Sequence, residues 1–147
     1  MACSEGIMKL RDQLIRHEGL RLKPYLDTEG ILTIGVGRNL DDRGISESEA
    51  LHLLDNDINE VYAECSQFDW FETLCEVRQD TVANMVFNLG ISRFKGFRKT
   101  IKAIQGHAFT EAAREMMDSK WARQVGRRAR ELAFQMRTGR HYDPKEE

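Results

Sequence analysis

Ile7, Leu10 and Leu14 recur at spacings of three and four, a helical stripe that Ser4 is placed to cap. Gly19 suits the left-handed residue that closes such a helix. The period then shortens. From Leu20 to Val36 the chain reads as short strands, interrupted at Asp27-Thr28-Glu29-Gly30, a strong turn cluster. Alternation along the second strand puts Leu32, Ile34 and Val36 on one face and Thr33 on the other. A hairpin centred near Gly30 sets Asp27 opposite Thr33. Ser46 and Glu49 stand at capping-box spacing and open a long helix through Leu51, Leu54, Ile58 and Val61. Loop-like residues near Asp69 precede a buried helix through Val77, Val82, Met85, Val86 and Leu89, ending at Gly90. Three shorter helices are predicted around 97–105, 109–118 and 121–135.

One helix, a small hairpin sheet and then helices to the end predict an α+β fold with segregated strands. The expected organisation is a single domain of two lobes. A small β lobe occupies about 19–50, a connecting helix 51–66, and a larger all-helical lobe 67–147 together with 1–18. A helix of about 20 residues spans roughly 30 Å, enough to join two lobes. A cleft between them is the natural seat of a long substrate.

With 147 residues, the chain has room for one domain or two lobes sharing a core. Its apolar runs are too short to span a bilayer, and no secretory leader is expected at its start. Cys3, Cys65 and Cys75 are an odd, widely spaced set, read as free thiols from a reducing compartment. The net charge of -2 hides an asymmetry: residues 1–92 carry -9 and residues 93–140 carry +9. A basic half suggests an anionic polymer as partner, or simply attracts the acidic half.

Glu18 lies eleven residues after Ile7, which at ~100° per residue sets it ~20° from Ile7 around the helix. A carboxylate on the core-facing stripe, at the negative end of the helix dipole, is disfavoured in its charged form. That is what a general acid requires. A frayed helix end with Glu18 turned to water fits the same residues. Asp27 and Thr33 have structural readings of their own, as a turn former and a good strand residue. The four histidines make no metal-ligand spacing, and Gly35-Val36-Gly37 is too short for a dinucleotide loop.

Taken together, Glu18-x8-Asp27-x5-Thr33, within the run from Leu14 to Gly37, resembles the catalytic motif of the phage-type lysozymes, the endolysins of glycoside hydrolase family 24. Asn84-Met85-Val86-Phe87-Asn88-Leu89-Gly90, followed by Gly96-Phe97, resembles that family's central buried helix. Ser119-Lys120-Trp121 through Arg128-Ala129 to Arg137-Thr138-Gly139 resembles its C-terminal helices.

The resemblance implies a lysozyme-like two-lobed catalytic domain and a muramidase that hydrolyses the β-1,4 bond between N-acetylmuramic acid and N-acetylglucosamine. Glu18 would be the general acid. Asp27 would place or deprotonate the attacking water, or steady the oxocarbenium-like sugar, and Thr33 would hold that water. An inverting reaction needs carboxylates roughly 6.5–9.5 Å apart. Substrate contacts fall to Asn88, Phe87 and Thr100, with Asn88 standing in for a family glutamine. Arg128 falls where the family pairs an arginine with its catalytic glutamate. Arg38 replaces a histidine of many members, at a position that serves stability.

No cofactor and no metal are expected. The implied partner is bacterial peptidoglycan, with no nucleic acid, no stable membrane insertion and a monomeric state. The protein is expected in the host cytoplasm until the membrane is opened, and then at the periplasmic wall, in host lysis by a phage or prophage. Two other readings stay open. A lytic transglycosylase would cut the same bond with a glutamate alone, and a non-catalytic protein would bind cell wall or nucleic acid through its basic half.

Overall fold

The computed structural model describes residues 2–146, and the side chains of residues 9–145. The described chain is an α+β protein of eight α-helices and a small antiparallel sheet. It divides after His52 into two compact units, Met1–His52 and Leu53–Glu147, so the boundary falls inside a helix.

The first unit begins with α1 (Ala2–Glu18), followed by β1 (Arg21–Leu26), β2 (Leu32–Gly35) and β3 (Arg38–Asn39) in sheet order β1-β2-β3. Helix α1 starts at Ala2, so Ser4 lies within it rather than at its cap. The side chains of Cys3, Ser4 and Ile7 are outside the described residues. Leu10 and Leu14 are exposed, at 52% and 42%, so this stretch of the apolar stripe is not covered as the periodicity predicts.

The β1–β2 hairpin pairs Tyr25 with Thr33 and Leu26 with Leu32. Its register shifts between Arg21 and Tyr25, where Pro24 has no N–H to give to the ladder. The third strand pairs Thr33 with Asn39.

Helix α2 (Glu47–Cys65) carries the expected capping box. Glu49 N–H donates to Ser46 Oγ at 3.1 Å, and Ser46 N–H donates to a Glu49 carboxylate oxygen at 2.9 Å. Arg38 donates to that same oxygen at 2.6 Å, tying β3 to the helix start. The Ser46 N–H and the Arg38 guanidinium together lower the Glu49 carboxyl from 4.5 to about 2. A depressed carboxylate stabilises the fold above its unfolded value and loses that contribution as pH falls through the folded one. Stability should therefore drop more steeply between pH 4.5 and about 2 in the native protein than in Glu49→Gln. Urea unfolding across that window checks this; identical slopes would remove the assignment.

The second unit holds the remaining helices: α3 (Glu76–Leu89), α4 (Ile91–Lys95), α5 (Arg98–Gln105), α6 (Phe109–Met117), α7 (Lys120–Val125) and α8 (Arg127–Thr138). Its core gathers Phe94, Met85, Ile104, Met116 and Met136, all fully buried. Gly126, at φ 55° and ψ -111°, ends α7 and starts α8, where periodicity predicts one helix over 121–135. Trp121 is buried, and its ring meets Phe97 edge-on at 6.1 Å. Cys65 is a buried free thiol pushed up to about 11 by desolvation, whereas Cys75 is exposed and free. Among the described residues, no helix is long and apolar enough to cross a membrane, and no cluster of His, Cys, Asp or Glu is arranged to hold a metal.

Candidate active site

The first unit carries three of the predicted site residues. Glu18 is the last residue of α1, and it is exposed rather than buried on an apolar face.

Glu18 nevertheless has a close neighbour that sequence reasoning passed over. Gly37, in the β2–β3 turn, has φ +66°, and a Cβ built on it would stand 2.7 Å from Glu18 Oε2 and 3.0 Å from its Cδ. The carboxyl thus lies directly against a backbone that has no side chain. The sequence places Gly37 at the end of the run that resembles the catalytic motif, and nothing in its spacing shows that it meets Glu18.

Asp27 follows β1 directly and organises the turn that its sequence predicts. Its Oδ1 accepts the N–H of Glu29 at 2.8 Å and of Ile31 at 2.9 Å. Its own N–H donates to the Ile31 carbonyl, and its carbonyl accepts the N–H of Gly30, which sits at φ +79°. Asp27 is thus opposite Ile31, and Tyr25, not Asp27, is opposite Thr33. With a period of two, Asp27 and Tyr25 share a face, so Asp27 and Thr33 are diagonal neighbours on it. Such neighbours stand ~7–8 Å apart, close enough for one water to meet both side chains. Thr33 is 3% exposed and donates its hydroxyl to the Ile31 carbonyl at 2.8 Å. That bond spends its proton and leaves its oxygen as an acceptor.

Two short-range effects therefore fix Asp27 and Thr33, and one steric allowance accommodates Glu18. Gly37→Ala tests that allowance. The clash is with the far end of a flexible side chain, so Glu18 can swing aside and the fold loses only ~1–2 kcal/mol for a left-handed alanine. If Glu18 is the acid that the family resemblance implies, activity should fall about tenfold to a hundredfold, because displacement by an ångström is that costly to a reacting group. Initial rates on soluble peptidoglycan, beside a melting curve, separate the two effects; unchanged rates would mean that Gly37 only serves the turn.

The second unit carries the others. Asn88, near the end of α3, accepts the Trp121 indole N–H through Oδ1 at 2.8 Å, so its amide NH2 is oriented as a donor. Phe87 is 46% exposed. It lines a cavity of about 330 Å³ with Leu54, Ile58, Tyr62, Asp80 and Arg128. There the Tyr62 hydroxyl donates to Asp80, and burial together with that neighbour raises the phenol above its ordinary range. Arg128 Nε and one terminal nitrogen donate to Asn84 Oδ1 at 3.0 and 2.7 Å, so its guanidinium is held by α3. Thr100 is 2% exposed within α5 and packs the core. It offers no surface to a sugar, which corrects its assignment as a substrate contact.

An acid, a carboxylate engaged by a turn and an inward hydroxyl, carried by one small sheet unit, make an arrangement suited to general acid–base hydrolysis. The chain is 29% identical over 163 residues to a probable T4-type lysozyme 2 of Dictyostelium discoideum, with 90% of this chain and 96% of the relative covered. It is 28% identical to the SAR-endolysin of Escherichia phage Mu, covering 84% of this chain and 77% of the relative. It is 34% identical over 100 residues to the endolysin of Salmonella phage P22, covering 63% and 66% of the two chains. The family model described as phage lysozyme matches residues 15–137. The chain belongs to the phage lysozyme family, and it is a lysozyme by that membership.

Proposed function

We propose that the protein is an endolysin-type muramidase that hydrolyses the β-1,4 bond between N-acetylmuramic acid and N-acetylglucosamine in peptidoglycan. Glu18 protonates the leaving glycosidic oxygen. Asp27 orients and deprotonates the attacking water through Oδ2, since Oδ1 is engaged by the turn. Thr33 accepts a hydrogen from that water, its own proton being given to Ile31. Bound saccharide covers the exposed Glu18 and excludes water from around it. Asn88 offers its amide NH2 to the sugar, Phe87 an apolar surface, and Arg128 of α8, held by Asn84 of α3, supports the site. No metal or cofactor takes part, because two carboxylates and a water suffice.

The observation that carries this reading is the Glu18–Asp27–Thr33 set, with Gly37 against the acid, on one unit of a family member. Action follows opening of the host membrane, with the periplasmic wall as the target. A transglycosylase needs no water-binding pair, so Asp27 and Thr33 favour hydrolysis. Mass spectrometry of muropeptides released from purified peptidoglycan tests the choice. Reducing N-acetylmuramic ends are expected; anhydro ends would replace hydrolysis by transglycosylation, and no release would favour a binding protein.

A further inference from the structure

The basic half of the chain concentrates part of its charge around an apolar groove. Helices α6 and α8 enclose a shallow groove of about 480 Å³, floored by Ala113, Met117, Ala133 and Phe134. Met117 is 40% exposed. Arg114, Arg130 and Arg137 stand along the same groove. Arg137 and Arg140 place their guanidinium carbons 5.6 and 5.8 Å from the centre of the Phe134 ring. Two acidic groups near this face are paired with arginines, Glu111 with Arg114 and Glu131 with Arg127, both at 3.6 Å, while Asp118, beside Met117, is exposed.

A soluble polyanion would need only the cations. An exposed methionine and a half-buried phenylalanine set among arginines, on a chain segment of charge +9, match an interfacial surface, in which apolar groups enter the headgroup layer while cations meet phosphates. We propose that this groove seats the helical unit on an anionic phospholipid bilayer, with Met117 and Phe134 inserted at headgroup depth and Arg114, Arg130 and Arg137 on lipid phosphates. The contact is peripheral. It is independent of the hydrolytic reading, since none of these residues belongs to the proposed site.

Co-sedimentation of the full chain with vesicles tests it, using phosphatidylglycerol–phosphatidylcholine mixtures against pure phosphatidylcholine. Binding to the anionic vesicles alone is expected. At about fivefold per arginine near the surface, the triple variant Arg114→Gln/Arg130→Gln/Arg137→Gln should bind about a hundredfold more weakly. Met117→Glu should weaken binding about tenfold, by removing an inserting group and adding a like charge. Hydrolysis of soluble peptidoglycan fragments and the far-UV spectrum should be unchanged in both. Equal binding to phosphatidylcholine, or native-like binding by the triple variant, would overturn the proposal. So would a Met117→Glu variant that binds as the native protein does, because the groove would then be a plain polyanion site.

Discussion

Glu18→Gln is expected to reduce wall hydrolysis by at least a hundredfold and as much as ~10⁴-fold, the range that a positioned general acid contributes. The amide is nearly isosteric with the carboxyl but has no acidic proton to give the leaving oxygen. Because Glu18 is exposed, the substitution should change stability by no more than ~0.5 kcal/mol. A buried, strained carboxylate would instead have made the glutamine variant more stable. Turbidity clearing of purified walls, measured beside a thermal melt, reads both quantities. Substantial activity in a folded Glu18→Gln protein would end the assignment of Glu18 as the acid.

The largest effect on stability should come from Arg78, far along the chain from the site. Its Nε donates to the Met136 carbonyl at 2.7 Å, and a terminal nitrogen donates to the Arg137 carbonyl at 3.1 Å. Both carbonyls lie in the last turn of α8, where the helix cannot satisfy them itself. The guanidinium also lies 3.7 Å from the centre of the Phe109 ring, so one side chain of α3 secures α8 and α6 together. A positive charge at a helix C-terminus adds to the effect.

Arg78→Ala should cost about 2–3 kcal/mol, given charged hydrogen bonds of ~1.5–3 kcal/mol each and a half-exposed setting that reduces them. For a chain of this size that lowers Tm by roughly 5–10 °C. Arg78→Lys should recover less than half, because one ammonium cannot reproduce the two-pronged planar contact. A shift under ~2 °C in the alanine variant would show that α8 is held without it.

Local chemistry was the part of this fold most open to reading from residues. The Ser46–Glu49 box and the Asp27 turn depend on groups within a few positions of each other, and both form as their spacing implies. Helix α3 is legible because its apolar residues keep one period to Gly90. Register was harder. Turn residues announce a hairpin but not which pair closes it, and closure at Asp27 and Ile31 shifts Thr33 from Asp27 to Tyr25.

Periodicity also runs straight through Gly126, because the apolar face continues while the backbone does not. Helix α4 has five residues, too few to show a period. A stripe such as Leu10 and Leu14 states which face is apolar and leaves open whether anything covers it. The sequence sets Gly37 in the run over 14–37 but not against Glu18, because its contribution is an absent atom, meaningful only once Glu18 is seen beside it.

The double engagement of Asp27 bears on how sequences of relatives can be read. One oxygen of its carboxyl folds a turn, so selection for a stable sheet preserves this position whether or not a chain still cuts peptidoglycan. Asparagine, with one acceptor oxygen, would keep the turn and lose the base. The turn alone would thus accept aspartate or asparagine here, and does not by itself demand the carboxylate. On the proposed reading, exchange of Asp27 for asparagine, or loss of the exposed Glu18, which no comparable turn requires, would mark the end of catalysis in a lineage.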